Sequence, residues 1–89
     1  MTRETRPTTM WEAAATEGGF EVLTAWLRST VAAMGLDGVE LYRSDDHRLV
    51  ALLHSSSDEP VVLPSAPQAL LRRPAHQWNF WRLEQPGSH

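Results

Sequence analysis

Residues 39–54, VELYRSDDHRLVALLH, predict two strands joined by a tight polar turn. Ser and Asp side chains at residues 44–47 can bond to their own backbone, and they favour a reversal of the chain there. The second strand is predicted over residues 48–54, and its residues 49–53 are apolar at every position rather than at every second one. A strand with this pattern has both faces covered. The hairpin therefore predicts a sheet that is packed on two sides.

The segments on either side of this hairpin predict a small sheet with helices. Residues 8–15 alternate and predict a first strand, whereas residues 20–34 carry an apolar stripe at helical spacing. Gly35 follows this helix directly and favours its termination. Residues 67–73 start with Pro and stop before another, which predicts two further helical turns. The alternating residues 76–83 predict a closing strand.

This order of elements predicts the fold class α+β, in the form of a ferredoxin-like βαββαβ sandwich, with residues 8–84 as its single domain. Residues 1–7 and 85–89 are predicted to be flexible tails. A chain of 89 residues without Cys builds a modest core and has no disulfide or thiolate metal site to reinforce it. The few helices cover one sheet face, so the all-apolar third strand predicts a homodimer through the other face, a dimeric α+β barrel.

Charge and composition restrict the classes of partner. The formal net charge is −3 with both signs interspersed, which argues against nucleic acid because phosphate binding requires a basic stripe. No apolar run approaches the roughly 18–20 residues that span a bilayer, and the polar start lacks a signal-peptide apolar region. These features predict a cytoplasmic protein without a membrane partner. All eight basic residues are Arg, a bias that indicates a high-GC bacterium.

Two stretches resemble the antibiotic biosynthesis monooxygenase-like group of the dimeric α+β barrel proteins. Residues 11–13, Trp-Glu-Ala, lead to Gly19 and the helix, and residues 38–44, Gly-Val-Glu-Leu-Tyr-Arg-Ser, are similar to the family's Gly-x-x-x-Tyr-x segment. The resemblance covers residues 8–55. It implies a homodimer whose two sheets face each other as a barrel.

The resemblance also implies a small-molecule enzyme of the cofactor-independent monooxygenase type. Its substrate would be an aromatic polyketide or a quinol, and its setting would be secondary metabolism. A polyketide cyclase or isomerase of the same fold is one alternative, and a non-catalytic small-molecule-binding or structural dimer is another. No cofactor and no metal is expected. In haem-degrading members of this family a His on the second helix holds the iron, but residues 67–73 contain no His. The histidines of the chain also lack the spacing of metal ligands.

Four side chains are candidates for catalysis in such an enzyme. A cofactor-free oxygenase needs a base that forms a phenolate, and histidine is the base best suited to neutral pH. His76 and His54 lie on predicted strands and are the two candidates. Asn79 and Tyr42 are candidates for donors that hold the developing anion. For each histidine the alternative is a sheet-surface residue with ordinary hydrogen bonds, and Glu12 is either a second base or an ion-pair partner of an Arg across a strand.

Four further residues are candidates for substrate binding: Trp11, Trp78, Trp81 and Arg72. Indole offers a flat ligand a large, stiff apolar wall and one N–H donor, and Arg72 offers a cation for an anionic oxygen. The alternative for these Trp residues is packing in the core or the dimer face. Trp26, on the helix stripe, is expected in the core.

Overall fold

The computed structural model describes residues 6–36 and 38–83. Its elements in chain order are β1 (Thr8–Ala14), α1 (Phe20–Ala33), β2 (Gly38–Arg43), β3 (Arg48–His54), a single 3-10 turn (Gln68–Leu70) and β4 (His76–Phe80). The strands form one sheet in the order β2-β3-β1-β4, with every neighbouring pair antiparallel. This confirms the α+β class, and the arrangement is compatible with a ferredoxin-like fold.

The predicted second helix over residues 67–73 is wrong. Only Gln68–Leu70 form a helical turn, and it is of the 3-10 type. Pro67 before it is extended, with ψ 119, and Leu71 after it is extended, with φ −112 and ψ 135. Leu71 instead makes a β-bridge with Ala15 at the end of β1. A helix this short repays little of its nucleation cost, so the contact with the sheet determines the conformation.

The strand ends also differ slightly from expectation. β3 has the predicted bounds, whereas β4 ends at Phe80, three residues before the predicted end. Most of the predicted tails, residues 1–5 and 85–89, lies outside the described residues, as do Asp37 and Glu84. Pro7 is buried, and its carbonyl oxygen accepts a hydrogen bond from the Ser55 backbone N–H at 3.0 Å.

Helix α1 ends where the glycine after it predicts. Gly35 has φ 74, the left-handed region that glycine adopts at low cost. Its N–H donates to the Ala32 carbonyl at 3.0 Å, and the Leu36 N–H donates to the Val31 carbonyl at 3.1 Å. This pair of bonds is the Schellman motif, which satisfies two of the carbonyl groups that a helix end leaves free. Among the described residues no helix is long and apolar enough to cross a membrane.

The core lies between α1 and one face of the sheet. Side chains alternate along a strand, and the odd-numbered residues of the central strands β1 and β3 face the helix. The loop after β3 crosses the same face and adds three more apolar residues. The buried cluster contains Trp11, Ala13, Ala15, Leu23, Leu27, Val31, Leu49, Ala51, Leu53, Val61, Leu63 and Ala66. Trp26 packs against this cluster, with its ring centroid 6.1 Å from that of Trp11.

No helix formed by residues 6–36 or 38–83 packs on the opposite face of the sheet, and we call this the open face. The strand register places on it Thr8, Met10, Glu12, Ala14, Gly38, Glu40, Tyr42, Arg48, Val50, Leu52, His54, His76, Trp78 and Phe80. Val50 and Leu52 are half-buried, and Tyr42, Trp78 and Phe80 are exposed large apolar side chains. The sequence predicts that both faces of β3 are buried. Within one chain only the face towards the helix is fully buried.

Candidate functional site

A cleft of about 590 Å³ opens beside β4, where the loop after β3 passes over the end of the sheet. Its apolar floor contains Trp11, Leu63 and Ala66, which are buried, and the half-buried Leu71 and Ala75. The loop stays extended here because prolines restrict its backbone. The volume lies within the roughly 300–1,000 Å³ of small-molecule sites, so the cleft can hold a molecule of two or three fused rings.

The rim of this cleft is polar and carries no carboxylate within the described residues. It contains Ser65, Gln68, Arg73, His76 and Gln77. The Gln77 side chain donates from Nε2 to the Val61 carbonyl at 3.0 Å, which ties β4 to the loop on the other side of the cleft. The rim therefore offers one permanent cation, one imidazole and several neutral hydrogen-bonding groups.

A buried carboxylate lies next to this rim. The Glu12 side chain is only 8% exposed, and its Oε2 accepts from Arg48 Nη1 at 3.0 Å and from Arg73 Nη2 at 3.4 Å. Arg48 reaches it diagonally across the ladder, since Ala14 of β1 is the residue directly opposite Arg48. The cross-strand ion pair expected of Glu12 is confirmed. A buried carboxylate needs such partners, because removing its charge from water is costly.

Arg48 divides its charge between two carboxylates. Its Nε donates to Asp46 Oδ1 at 3.0 Å, and the Ser44 hydroxyl donates to the same oxygen at 2.5 Å. The Ser44 bond, followed by the Arg48 bond, lowers the pKa of Asp46 from 3.8 to about 2. The hydrogen bond to Asp46, followed by that to Glu12, raises the pKa of Arg48. The hairpin turn and the buried carboxylate are thus joined through one guanidinium.

Of the four catalytic candidates, the structure places His76 at the cleft. Its imidazole stacks on the Trp78 indole, with ring centroids 5.7 Å apart and planes 21° from parallel. His54 lies at the far end of the open face, with Nδ1 3.0 Å from Thr8 Oγ1 and Nε2 3.3 Å from Glu40 Oε1.

The other two catalytic candidates lie on opposite faces of the sheet. Tyr42 is exposed on the open face, on the edge strand β2. Asn79 is on the helix side of β4, where its Oδ1 accepts from Thr9 Oγ1 at 2.9 Å. The structure does not bring His76, His54, Asn79 and Tyr42 together into one site.

The substrate-binding candidates are also dispersed. Trp11 lies in the cleft floor, Trp78 lies on the open face, and Trp81 follows β4 and is exposed. Arg72 borders a second cavity, of about 400 Å³, next to the hairpin turn. Its Nε donates to the Ala15 carbonyl at 2.8 Å and its Nη2 to the Asp46 carbonyl at 2.9 Å, so it holds two backbone segments together.

Sequence reasoning missed Arg73 as a site residue. Arg72 and Arg73 are adjacent in an extended segment, so their side chains diverge, and the composition of the pair does not say which one meets a cavity. Glu12 could have pointed to Arg73. It is an acidic residue in a mostly apolar strand, and a carboxylate that is buried there needs cationic partners.

No group of three or more His, Cys, Asp or Glu side chains in the part of the chain that the structure describes could hold a metal ion. The chain matches no protein-family model, no curated protein and no solved structure. The resemblance to the antibiotic biosynthesis monooxygenase-like group stays a prediction.

Proposed function

We propose that this protein binds a flat aromatic small molecule in the cleft beside β4. The observation that carries the proposal is the cleft itself: about 590 Å³ over an apolar floor that includes Trp11, with a polar rim. Sites of this kind bury the body of a ligand on apolar surface and orient it with a few polar groups. Aromatic rings gain dispersion and edge contacts on such a floor.

The test is a titration with two- and three-ring phenols and quinols, followed by thermal unfolding and tryptophan fluorescence. A ligand at one hundred times its Kd stabilises the folded state by about 2.7 kcal/mol, which raises the Tm of a domain of this size by about 10–20 °C. Ser65→Phe places a ring at the exposed rim and should abolish the shift. Val62→Phe is the matched control, because Val62 is exposed in the same loop and does not line the cleft. No shift in the wild-type protein with any compound in the panel would refute the proposal.

We also propose that the working form is a homodimer that packs the open face of one copy on that of another. Tyr42, Trp78 and Phe80 are exposed there beside half-buried Val50 and Leu52. Four strands about 4.8 Å apart and five to seven residues long give a face of roughly 19 by 20 Å before its side chains are counted. This flat area, about 380 Å², is about half of the roughly 800 Å² that each partner buries in a standard interface, and the projecting side chains add to it.

The charges on this face are compatible with self-association. Its two carboxylates each have a partner within the chain: Arg48 Nη1 lies 3.0 Å from Glu12 Oε2, and His54 Nε2 lies 3.3 Å from Glu40 Oε1. Light scattering and sedimentation at micromolar concentration should give a mass near twice that of one 10.0 kDa chain. A monodisperse monomer under these conditions would remove the dimer from the proposal and leave the cleft proposal intact.

Cofactor-independent oxygenation of the bound aromatic is the second candidate function, and the position of His76 at the rim favours it. The imidazole would take a phenolic proton, and the electron-rich phenolate would pass an electron to dioxygen. Combination of the two radicals would form the new C–O bond. The hydroperoxide formed on that carbon would then lose water: its O–O bond and the remaining C–H bond break and a C=O bond forms, so the carbon is oxidised and dioxygen is reduced.

Oxygen uptake with a reduced anthrone or a naphthoquinol tests this second candidate. Removal of a general base costs about 10²–10⁴-fold in rate, so His76→Gln should lose the rate and leave ligand affinity within about threefold. His54→Gln is the control, because His54 lies away from the cleft. Turnover without oxygen uptake would favour a cyclase or an isomerase, and no rate above buffer would leave the protein as a binding module.

A further inference from the structure

The cleft differs in charge from the chain as a whole. The protein has 11 acidic residues against 8 Arg, a formal net charge of −3. Within the described residues, none of the acidic ones lines the cleft, whereas Arg73 and His76 do. A concave site whose fixed charge is positive attracts anions, because low-dielectric walls concentrate its field.

Arg73 is held in place but keeps most of its donors available. In the part of the chain that the structure describes, its one hydrogen bond runs from Nη2 to Glu12 Oε2 at 3.4 Å, beyond the usual 2.7–3.2 Å range for N–H···O bonds. Arg48 binds the same oxygen at 3.0 Å, so the charge of Glu12 is shared. A guanidinium has five N–H donors, and the Arg73 side chain is 45% exposed.

The neighbouring Arg72 shows the contrast. Unlike Arg73, it makes no ion pair among the described residues, and its Nε and Nη2 both donate to backbone carbonyls at 2.8 and 2.9 Å. These short bonds use the guanidinium to join Ala15 to the hairpin turn. Arg72 therefore has a structural role, whereas Arg73 presents its charge to the cleft.

We infer that the ligand of this cleft is an aromatic carboxylate whose acid group is bound by Arg73. The inference rests on the proposed function, since it names the class of ligand for the same site. The planar fork of N–H donors matches the two oxygens of a carboxylate, and the two parallel bonds are stronger than neutral ones. Glu12, on the open face, holds the guanidinium by one atom, Nη2, which leaves its other N–H groups for the ligand.

A matched pair of ligands tests this inference: naphthalene-2-carboxylate and naphthalene-2-carboxamide, titrated into the full chain by calorimetry. The two compounds have the same ring system and nearly the same shape, and they differ in charge. The wild-type protein should bind the acid about tenfold more tightly than the amide, which is the ordinary value of a hydrogen bond to a charged group. High salt should reduce this preference, because the site is partly exposed.

Arg73→Gln should bring the two affinities to within about twofold and leave that of the amide unchanged. Arg28→Gln is the control, because it removes the same charge from an exposed position on α1 and should keep the tenfold preference. If Arg73→Gln fails to fold by circular dichroism, Arg73→Lys replaces it. Lysine keeps the charge without the fork, and the preference should fall several-fold.

The outcomes separate this inference from the proposed function. Equal binding of acid and amide by the wild-type protein overturns the carboxylate inference and leaves the aromatic site in place. A preference for the acid that survives in Arg73→Gln, or in the folded Arg73→Lys, overturns the role of Arg73. Binding of neither compound overturns both the carboxylate inference and the proposal that the cleft holds an aromatic ring.

Discussion

The two faces of the sheet share their central strands but differ in what covers them. In β3, Leu49, Ala51 and Leu53 are at most 1% exposed under α1, whereas Val50 and Leu52 between them are half-buried on the open face. The residue types along this strand are alike, so the difference comes from the neighbouring elements. An apolar strand predicts that both faces are to be buried, but it does not say which partner buries each one.

A cavity in the core under α1 should reduce stability more than any other change considered. Leu27 is fully buried in α1, and Leu27→Ala should lower the free energy of unfolding by about 2–5 kcal/mol through lost burial and a residual cavity. Denaturant titration measures this change. Val22→Ala on the exposed side of the same helix is the control and should change stability by less than about 0.5 kcal/mol. A loss below about 1 kcal/mol at Leu27 would contradict the described core.

The next effect concerns the open face. Leu52→Arg places a charge in the centre of this face beside Glu40, its partner in the ladder. The new charge can pair with Glu40 in one chain but would be desolvated between two sheets, so dimer dissociation should increase at least about 100-fold. Sedimentation equilibrium measures this constant. Val22→Arg on α1 adds the same charge away from the sheet and should leave association unchanged; equal effects of the two variants would place the interface elsewhere.

A smaller effect should follow at the border between the open face and the cleft. Glu12→Gln removes the buried charge that Arg48 and Arg73 share. Both guanidiniums are partly exposed and can be solvated, so the expected loss of stability is about 1–2 kcal/mol rather than the larger cost of a fully buried pair. Denaturant titration gives this value. Glu21→Gln on the exposed surface of α1 is the control. An equal loss of stability at both positions would mean that the ion pairs of Glu12 with Arg48 and Arg73 do not stabilise the fold.

The smallest effect lies in the exposed hairpin turn and depends on pH. Bonds from Ser44 and Arg48 lower the pKa of Asp46 from 3.8 to about 2, so folding favours the charged form. This stabilisation is present above the unfolded pKa and is lost as the pH falls through about 3.8 towards 2. Asp46→Asn should therefore flatten the fall in stability over that interval, as measured by unfolding at a series of pH values. Asp45→Asn in the same turn is the control, and identical pH profiles for the two variants would contradict the assignment.

Local signals predicted the elements whose conformation is decided within a few residues. The polar turn and the apolar run gave β3 its bounds, and Gly35 placed the end of α1 to within one residue. The second helix was mispredicted because Leu71 pairs with Ala15, a residue far away in sequence. Helical propensity in a short segment does not outweigh such a contact.

The candidate site was predictable only in part, for a related reason. Trp11 and His76 were chosen by residue type, and both line the cleft. His54 and Tyr42 were chosen on the same grounds and share the open face with His76, but neither of them lines the cleft. Alternation along a strand says which side chains share a face, whereas the crossing of the loop after β3 decides where the cavity forms.

The weak attachment of β4 has a consequence for how this protein moves. β4 is an edge strand in the described sheet; its five residues are all exposed, and it pairs with β1 on one side. Segments with few buried contacts open locally at lower free energy than the core. Backbone amides of β4 should therefore exchange with deuterium sooner than those of β3. The wall of the cleft can open locally while the rest of the sheet stays hydrogen-bonded. Ligand binding would then be visible as slower exchange in this one strand.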